Sequence, residues 1–396
     1  MGSSIGATFK KMPAAFFIGY LALFIRNYLL ILQDNPLPDL ADKALLVSGL
    51  IFLGLHIASN LKAYSGSGFL LLTIIGFVGL AYIRSGETSP LVSIILIVAS
   101  ASISDTRLLI KMWLALTSFV VLFTVLVYAA TSIISPDSIR LFTRVVGSFV
   151  TFRQGFYLSH PNLFAAIVAM MLACLMFLNK DKQNLLTVLF SLGLMTIVYY
   201  FTDSRTPYLL LVAAAILFLL VPYLSPRAFR CLRFAASVIP LVLLLIVFLL
   251  SGPLFSNEIR ELFSARIGLW HSCFVNQGVS FFGNQFIPTV GIEANGYLRV
   301  YATLDSFYAS CLFVYGAPFS LAFFLFSYLA VRNSDDPSMA ILFLLFFAEG
   351  FTEGHLTNLF FGLPLLLMGI GVKELCRICS NSNSHRLNRD KLSGVN

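Results

Sequence analysis

Charged residues are scarce in this sequence of 396 residues. Only 11% of the positions are Asp, Glu, Lys or Arg, whereas 58% are hydrophobic. A soluble globular domain carries roughly 25% charged residues, so the composition excludes that class of protein. Repeated apolar segments of about 20 residues are typical of transmembrane helices. The sequence therefore predicts an all-α polytopic membrane protein, a single integral membrane domain spanning residues 1–396.

Sequence motifs for nucleotide and metal chemistry are also lacking. There is no P-loop, no Rossmann glycine fingerprint and no kinase signature. The six cysteines are scattered, and the pair in "CRIC" (376–379) has no second Cys or His pair to complete a zinc site. No predicted outer segment gathers carboxylates in a clear metal-ligand spacing, and Glu349 and Glu353 are the pair that comes nearest to one. We therefore expect neither a metal nor a nucleotide cofactor.

Apolar segments recur along the whole chain, and their even number places both termini on one side of the membrane. The first is expected to be a retained span, because no small-residue cleavage site follows it cleanly. The twelve predicted spans lie near residues 12–32, 43–59, 67–84, 89–103, 108–131, 162–178, 184–201, 207–223, 234–252, 304–331, 339–352 and 358–372.

Basic residues are distributed unevenly between the two sides of this arrangement. With a cytoplasmic N-terminus, the cytoplasmic segments hold 16 of the 26 basic residues but 6 of the 18 acidic ones, for a net charge of +10. The outer segments have a net charge of −2. This asymmetry follows the positive-inside rule, so we predict a multi-pass protein of the cell (cytoplasmic) membrane with both termini in the cytoplasm. The basic loops then face anionic lipid, not nucleic acid, and the polar tail, 376–396, is expected to be disordered.

The first long outer loop, residues 132–161, shows helical periodicity. A helix is predicted from Ser135 onwards, and Arg153 continues its apolar stripe four residues after the last apolar member. His160 directly precedes Pro161 and the sixth span, so it is either a capping residue or a catalytic one. The apolar members of the stripe are Ile139, Phe142, Val146 and Phe149.

The second long outer loop, residues 253–302, repeats this design. Ser256 or Asn257 is predicted to cap a helix in which Arg266 lies on the apolar face. An arginine there either snorkels along the membrane surface or points into a cavity. The following "GNQFIPTVGIEANGYLRVY" is typical of a loop that returns to the membrane. The apolar face comprises Ile259, Leu262, Phe263, Leu269 and Trp270.

Further ionisable residues lie in the other predicted outer turns. Arginines bind phosphate oxygens bidentately, and carboxylates or histidine accept a proton from an attacking hydroxyl. The combination predicts an extracytoplasmic substrate that is already activated, such as a polyprenyl-diphosphate-linked sugar. For Asp203 and Arg205, a local ion pair is the simpler interpretation. The residues are Asp203, Arg205, Asp305, Glu349, Glu353 and His355.

Ordered motifs over residues 145–375 resemble the O-antigen ligase and polymerase superfamily, the Wzy-type and WaaL-type integral membrane glycosyltransferases. The motifs are "RQGFYLSHPN", "TDSRTPYLLLVAAAILF", "ARIGLWHSCF" followed by "FFGNQF", "DSFYASCLFVYGA" and "EGFTEGHLTNLFFGLPLLLMG". The resemblance implies a polymerase that joins undecaprenyl-diphosphate-linked repeat units of a capsule, exopolysaccharide or O-antigen. It also implies a lipid-linked donor and acceptor, membrane lipids, a flippase and a chain-length regulator as partners.

The resemblance implies functional residues as well. Arg153, Arg205 and Arg266 are expected to bind the diphosphate and to floor an outward-facing cavity. From the outer ionisable residues themselves, the candidate bases are His160, Glu349, Glu353, Asp305 and His355. We favour His160, because its unperturbed pKa lies near 6.5, with Glu349 as the alternative.

Two other functions stay open. A ligase would transfer the glycan to a different lipid or wall acceptor, but its typical late histidine is followed by Asn, Ser or Gln, whereas His355 is followed by Leu356. A lipid-linked oligosaccharide flippase belongs to another class, and it should carry charges at mid-membrane depth and internal repeats. This sequence has few such charges and no clear repeat, which favours the polymerase.

Overall fold

The fold is mostly helical, with two short antiparallel β-hairpins. The computed structural model describes residues 12–32, 37–64, 66–135, 139, 141–146, 149–180, 185–253, 265–287, 289–292, 298–301, 304–334, 336–358 and 362–393. The helices are α1 (Ala14–Ile31), α2 (Asp39–Ser59), α3 (Gly68–Ser85), α4 (Thr88–Ser100), α5 (Thr106–Ile134), α6 (Pro161–Asn179), α7 (Leu185–Thr202), α8 (Arg205–Leu220), α9 (Pro226–Ser251), α10 (Ala265–Asn276), α11 (Phe307–Ser310), α12 (Gly316–Arg332), α13 (Pro337–Thr352) and α14 (Leu363–Ser393). The strands are β1 (Leu141–Val146), β2 (Phe149–Gln154), β3 (Thr289–Ile292) and β4 (Leu298–Tyr301).

Among the described residues, fewer helices than predicted have the length and hydropathy needed to cross a membrane. Within the described ranges, nine helical segments are long and apolar enough, which is consistent with an all-α polytopic membrane protein. The predicted count of twelve is not confirmed. Two of the predicted spans are the shorter helices α4, of 13 residues, and α13, of 16 residues. The last predicted span is the start of α14, which carries Lys373, Glu374 and Arg377 after ten uncharged residues.

The C-terminal tail is helical where we predicted disorder. The last helix, α14, continues through the polar sequence to Ser393. No proline or glycine occurs between Val372 and Ser393, so nothing in that segment breaks the helical hydrogen-bond pattern. Arg377 also donates to Glu374 three residues earlier (Nε to Oε2, 2.7 Å), and such pairs support a helix.

Two of the nine candidate membrane spans are much more buried than the others. In the most apolar stretch of α6, 78% of the residues are buried, and in that of Phe307–Arg332 72% are buried, whereas the other candidate spans have 17–39% of these residues buried. The surrounding helices expose large apolar side chains, such as Phe69, Ile83 and Phe119. An apolar surface this extensive is suited to contact with lipid.

A β-hairpin occupies the first outer loop, so our prediction of an amphipathic helix there is wrong. Strands β1 and β2 pair with Phe142 opposite Arg153. The sequence "FTRVVGSFVTF" is rich in Val, Thr and Phe, which favour strands. Cross-strand partners share one face of a hairpin, so Phe142 and Arg153 still lie on the same side. Ser135, the predicted helix start, is the C-terminal cap of α5.

The second outer loop contains α10 and a hairpin of β3 and β4. Its predicted helix start at Ser256 or Asn257 lies outside the described residues, but Leu269 and Trp270 are buried as predicted. Before the hairpin, the chain contacts a π-helical turn, Cys311–Tyr315, that joins α11 to α12. Gly283 has φ +76°, and a Cβ at this position would overlap the carbonyl oxygen of Val314. Glycine is therefore required for this close contact.

Candidate active site

Several helix ends meet at one end of the bundle. Hydrogen bonds and ion pairs there connect β2, the starts of α6 and α10, and the segments beside the start of α11 and the end of α13. At the opposite ends of α6 and α13, Lys180 pairs with Asp336. We call the connected side chains the polar cluster; they are Arg153, Asn162, Arg266, Asp305 and Glu353.

Arg153 is buried at the inner side of the polar cluster, with 9% of its surface exposed. Its Nε donates to the backbone oxygen of Thr202 (2.7 Å). Its Nη2 donates to Asn162 Oδ1 and to Ser204 Oγ, the latter at 3.2 Å. These bonds tie the hairpin to the end of α7 and the start of α6. The geometry favours a positioning role for Arg153 over the diphosphate contact that we predicted.

Asn162 connects the two halves of the polar cluster. Its Oδ1 accepts from Arg153 and from Ser204 Oγ (3.0 Å), and its Nδ2 donates to Glu353 Oε1 (2.9 Å). We did not assign Asn162 a role from the sequence. The available signal was its position: it is an amide in the first turn of an otherwise apolar helix, directly after His160 and Pro161.

Arg266 reaches both carboxylates of the polar cluster from the start of α10. Its Nη2 lies 3.4 Å from Glu353 Oε1, and its Nε lies 3.6 Å from Asp305 Oδ2. Its Nη1 donates to the backbone oxygen of Thr352 at the end of α13. The backbone oxygen of Glu353 accepts from Phe307 N (3.3 Å), which joins the end of α13 to the start of α11. Arg266 therefore points inward, as the sequence predicted, and does not snorkel.

Exposure differs sharply across the polar cluster. The Asp305 side chain is 40% exposed and that of Arg266 is 32% exposed, whereas Glu353 is only 8% exposed. Burial raises the pKa of Glu353, although the nearby Arg266 acts in the opposite direction. A ligand that approaches the cluster therefore meets Asp305 and Arg266 first, and Glu353 lies behind them.

His160 caps α6. Its Nδ1 accepts a hydrogen bond from Asn162 N (3.2 Å), and its ring packs edge-on against Phe142, with the ring centroids 5.7 Å apart. The hydrogen bond assigns the neutral tautomer with the proton on Nε2, so neither ring nitrogen has a free lone pair for an incoming proton. Of the two roles that the sequence left open, this geometry favours the cap.

The other two predicted bases are less accessible or lie outside the described residues. Glu349 lies one turn before Glu353 and is 4% exposed. Within the described part of the chain, Glu349 Oε1 accepts no hydrogen bond. A substrate hydroxyl reaches such a carboxylate only if the surrounding helices move. The side chain of His355 lies outside the described residues.

Arg205 is separate from the polar cluster. The predicted local pair is present, with Arg205 Nε 3.8 Å from Asp203 Oδ1. The Arg205 side chain is 58% exposed, and within the described residues this is its one ion pair. Arg153 and Arg266 are connected through Asn162 and Glu353. Among the described residues, no hydrogen bond or ion pair links Arg205 to that connection, and the common floor of three arginines stays a prediction.

Left-handed backbone conformations flank the polar cluster. Among the described residues, the non-glycine positions with positive φ are Phe156 (48°), Tyr157 (65°) and Asp203 (44°). Such residues persist where packing holds them in place. Phe156 packs against Phe164, with ring centroids 4.4 Å apart. This packing fixes the loop that presents both Arg153 and His160.

Comparison with known proteins gives no further information about this site. No protein-family model matches the chain, and neither the curated proteins nor the solved structures contain a match. The function is therefore inferred from the chemistry of the polar cluster and from the sequence motifs that carry it.

Proposed function

We propose that this protein is a polysaccharide polymerase, a metal-independent integral membrane glycosyltransferase that joins undecaprenyl-diphosphate-linked repeat units on the outer face of the cell membrane. The observation that carries the proposal is the partly exposed Arg266 between two carboxylates, Asp305 and Glu353, at the end of an apolar helix bundle. Ionisable groups this close to hydrocarbon are usually functional. The predicted orientation of the chain puts this end outside the cell.

Arg266 supplies the cation that the leaving group needs. A guanidinium group stays charged and donates two parallel hydrogen bonds to phosphate oxygens. Because the polar cluster lies where the helices end, the polyprenyl chain of the donor remains in lipid while its diphosphate reaches Arg266. Arg205, exposed at the start of α8, stays a predicted second contact for the diphosphate.

Asp305 is the general base that the geometry supports best. Its carboxylate is the most exposed in the polar cluster and lies 3.6 Å from Arg266 Nε. In the transfer, the acceptor oxygen forms a bond to the anomeric carbon of the donor, and the bond from that carbon to the diphosphate oxygen breaks. The proton of the acceptor hydroxyl moves to Asp305, and the lipid diphosphate leaves with the electron pair. Glu353 holds Arg266 in position.

The test is polymer formation in a strain that lacks the native gene and is complemented with single variants. Arg266→Lys should lose most polymer, because a point charge does not replace the bidentate fork. Asp305→Asn should lower the rate about 10²- to 10⁴-fold. The matched control is Arg332→Lys, an exposed arginine beside Tyr328 at the far end of α12, which should make normal polymer. Normal polymer from both Arg266→Lys and Asp305→Asn would contradict the proposal.

Metal independence has its own test. Purified protein supplied with the lipid-linked repeat unit should polymerise it fully in excess EDTA, because Arg266 neutralises the diphosphate. Activity that disappears in EDTA and returns with added Mg²⁺ would show that a metal supplies this charge instead.

A further inference from the structure

A polar cavity lies beside the polar cluster. Its volume is about 330 Å³, at the lower end of the range for ligand pockets, roughly 300–1,000 Å³. Its walls come from the end of α1, the connection from α3 to α4, and the segment that follows Glu353. The lining side chains include Arg26, Asn27, Glu87 and Thr357.

One short backbone segment separates this cavity from the polar cluster. Gly354 lines the cavity and directly follows Glu353. A Cβ at Gly354 would lie 2.6 Å from the backbone oxygen of Leu304, the residue before Asp305. The two backbones are therefore in close contact, and a ligand in the cavity lies next to the segment that carries the general base.

The charge of the cavity argues against an anionic ligand. Arg26 is already neutralised, because its Nε lies 2.8 Å from Asp42 Oδ1 and its Nη2 donates to Oδ2 (3.1 Å). Glu87 adds a carboxylate that has no hydrogen bond or ion pair with any described residue, and burial raises its pKa. Among the described lining residues, a diphosphate would meet the Glu87 carboxylate and one cation, Arg26, which is buried and paired with Asp42.

Neutral hydroxyl groups suit the cavity better. The Asn27 amide donates to the backbone oxygen of Leu23 (2.8 Å), so its own oxygen remains to accept a hydrogen bond. Tyr315 and Thr357 also line the cavity, and Tyr315 OH lies 3.2 Å from Thr357 Oγ1. Carboxylate, amide and hydroxyl groups together match the alternating donors and acceptors of a sugar ring.

We propose that this cavity binds one neutral sugar residue of the acceptor glycan, with the Glu87 carboxylate accepting hydrogen bonds from its hydroxyl groups. The inference deepens the proposed function and rests on it. It divides the outer end of the protein into two parts: the polar cluster receives the donor diphosphate, and the cavity positions the acceptor sugar so that its hydroxyl reaches Asp305.

Binding is tested with the full-length protein in lipid nanodiscs by saturation-transfer NMR. The probes are glucose, galactose, N-acetylglucosamine and N-acetylgalactosamine. At least one should bind to the wild-type protein, and Glu87→Gln should weaken that binding about tenfold or more, since a charge-assisted hydrogen bond is lost. Ser89 also lines the cavity, so Ser89→Phe, which fills it, should abolish sugar binding. The control Glu374→Gln, a carboxylate paired with Arg377 in the distant part of α14, should bind normally.

Two results would overturn the inference: no binding of any probe to the wild-type protein, or unchanged binding in Glu87→Gln. Arg266→Lys separates this inference from the proposed function, because it should lose polymer but keep sugar binding. If polymer depends on Arg266 while Glu87→Gln binds sugar and polymerises normally, the cavity inference alone fails. If sugar binding depends on Glu87 while Arg266→Lys makes normal polymer, the proposed function fails.

Discussion

Replacement of Arg153 by lysine should destabilise the protein strongly, although it keeps the charge. Arg153 donates to two buried acceptors, the Thr202 backbone oxygen (2.7 Å) and Ser204 Oγ (3.2 Å), and to the half-buried Asn162 Oδ1. A lysine ammonium is a single nitrogen and does not span acceptors on two helices. If two acceptors lose their donor, at about 1–3 kcal/mol each, the free energy of unfolding falls by about 2–6 kcal/mol.

Arg205→Lys is the matched control for this substitution. Arg205 is 58% exposed and lies 3.8 Å from Asp203, so the loss should be about 0–1 kcal/mol, as for other exposed ion pairs. The free energy of unfolding of both variants is measured by SDS titration in mixed micelles, with helix content followed by circular dichroism. Equal stabilities for the two variants would refute the positioning role assigned to Arg153.

Three further predictions concern the same end of the protein. His160→Asn keeps a capping side chain and should make normal polymer, whereas His160→Ala should lose about 0.5–2 kcal/mol of stability; lost polymer in the asparagine variant would instead show that the imidazole takes part in the chemistry. Burial raises the pKa of Glu353 in the folded chain above its ordinary 4.5. Above pH 4.5 and below this raised pKa, Glu353 is protonated in the folded chain but ionised in the unfolded chain, so the stability should fall as the pH rises through that range. Glu353→Gln should flatten this part of the stability–pH curve relative to wild type, and an unchanged slope would contradict the burial effect. Gly283 has a positive φ, and the Cβ of Gly283→Ala would also overlap a backbone oxygen, so this variant should lose about 2–5 kcal/mol of unfolding free energy. Gly278 has a positive φ but open space around it, so Gly278→Ala should lose only about 1–2 kcal/mol. Equal losses in the two variants would contradict the role of the close contact at Gly283.

The sequence alone predicted the structural features that depend on residues near each other along the chain. Low charge and long apolar segments indicated the helical membrane class, because a helix satisfies its backbone polar groups within one segment. Pro161 marked the start of α6, and His160 lies at its cap as one of the two predicted roles. The pair of Asp203 and Arg205 is present. The cap and the ion pair depend on residues within one helical turn of each other, and the membrane class depends on residues within single continuous segments.

Tertiary structure decided which side chains meet. Asn162 and Glu353 are 191 positions apart, and no periodicity of the sequence connects them. The role of Arg153 also changed in this way, since the hairpin that holds it opposite Phe142 depends on strand pairing, which helical spacing does not describe. Polar groups that leave water need hydrogen-bond partners. The sequence placed Arg266 on an apolar helix face, where it needs such a partner, but it did not show which carboxylates would pair with it. The packing of helix ends selects Asp305 and Glu353, because only the packed helices bring their carboxylates within reach of one guanidinium group.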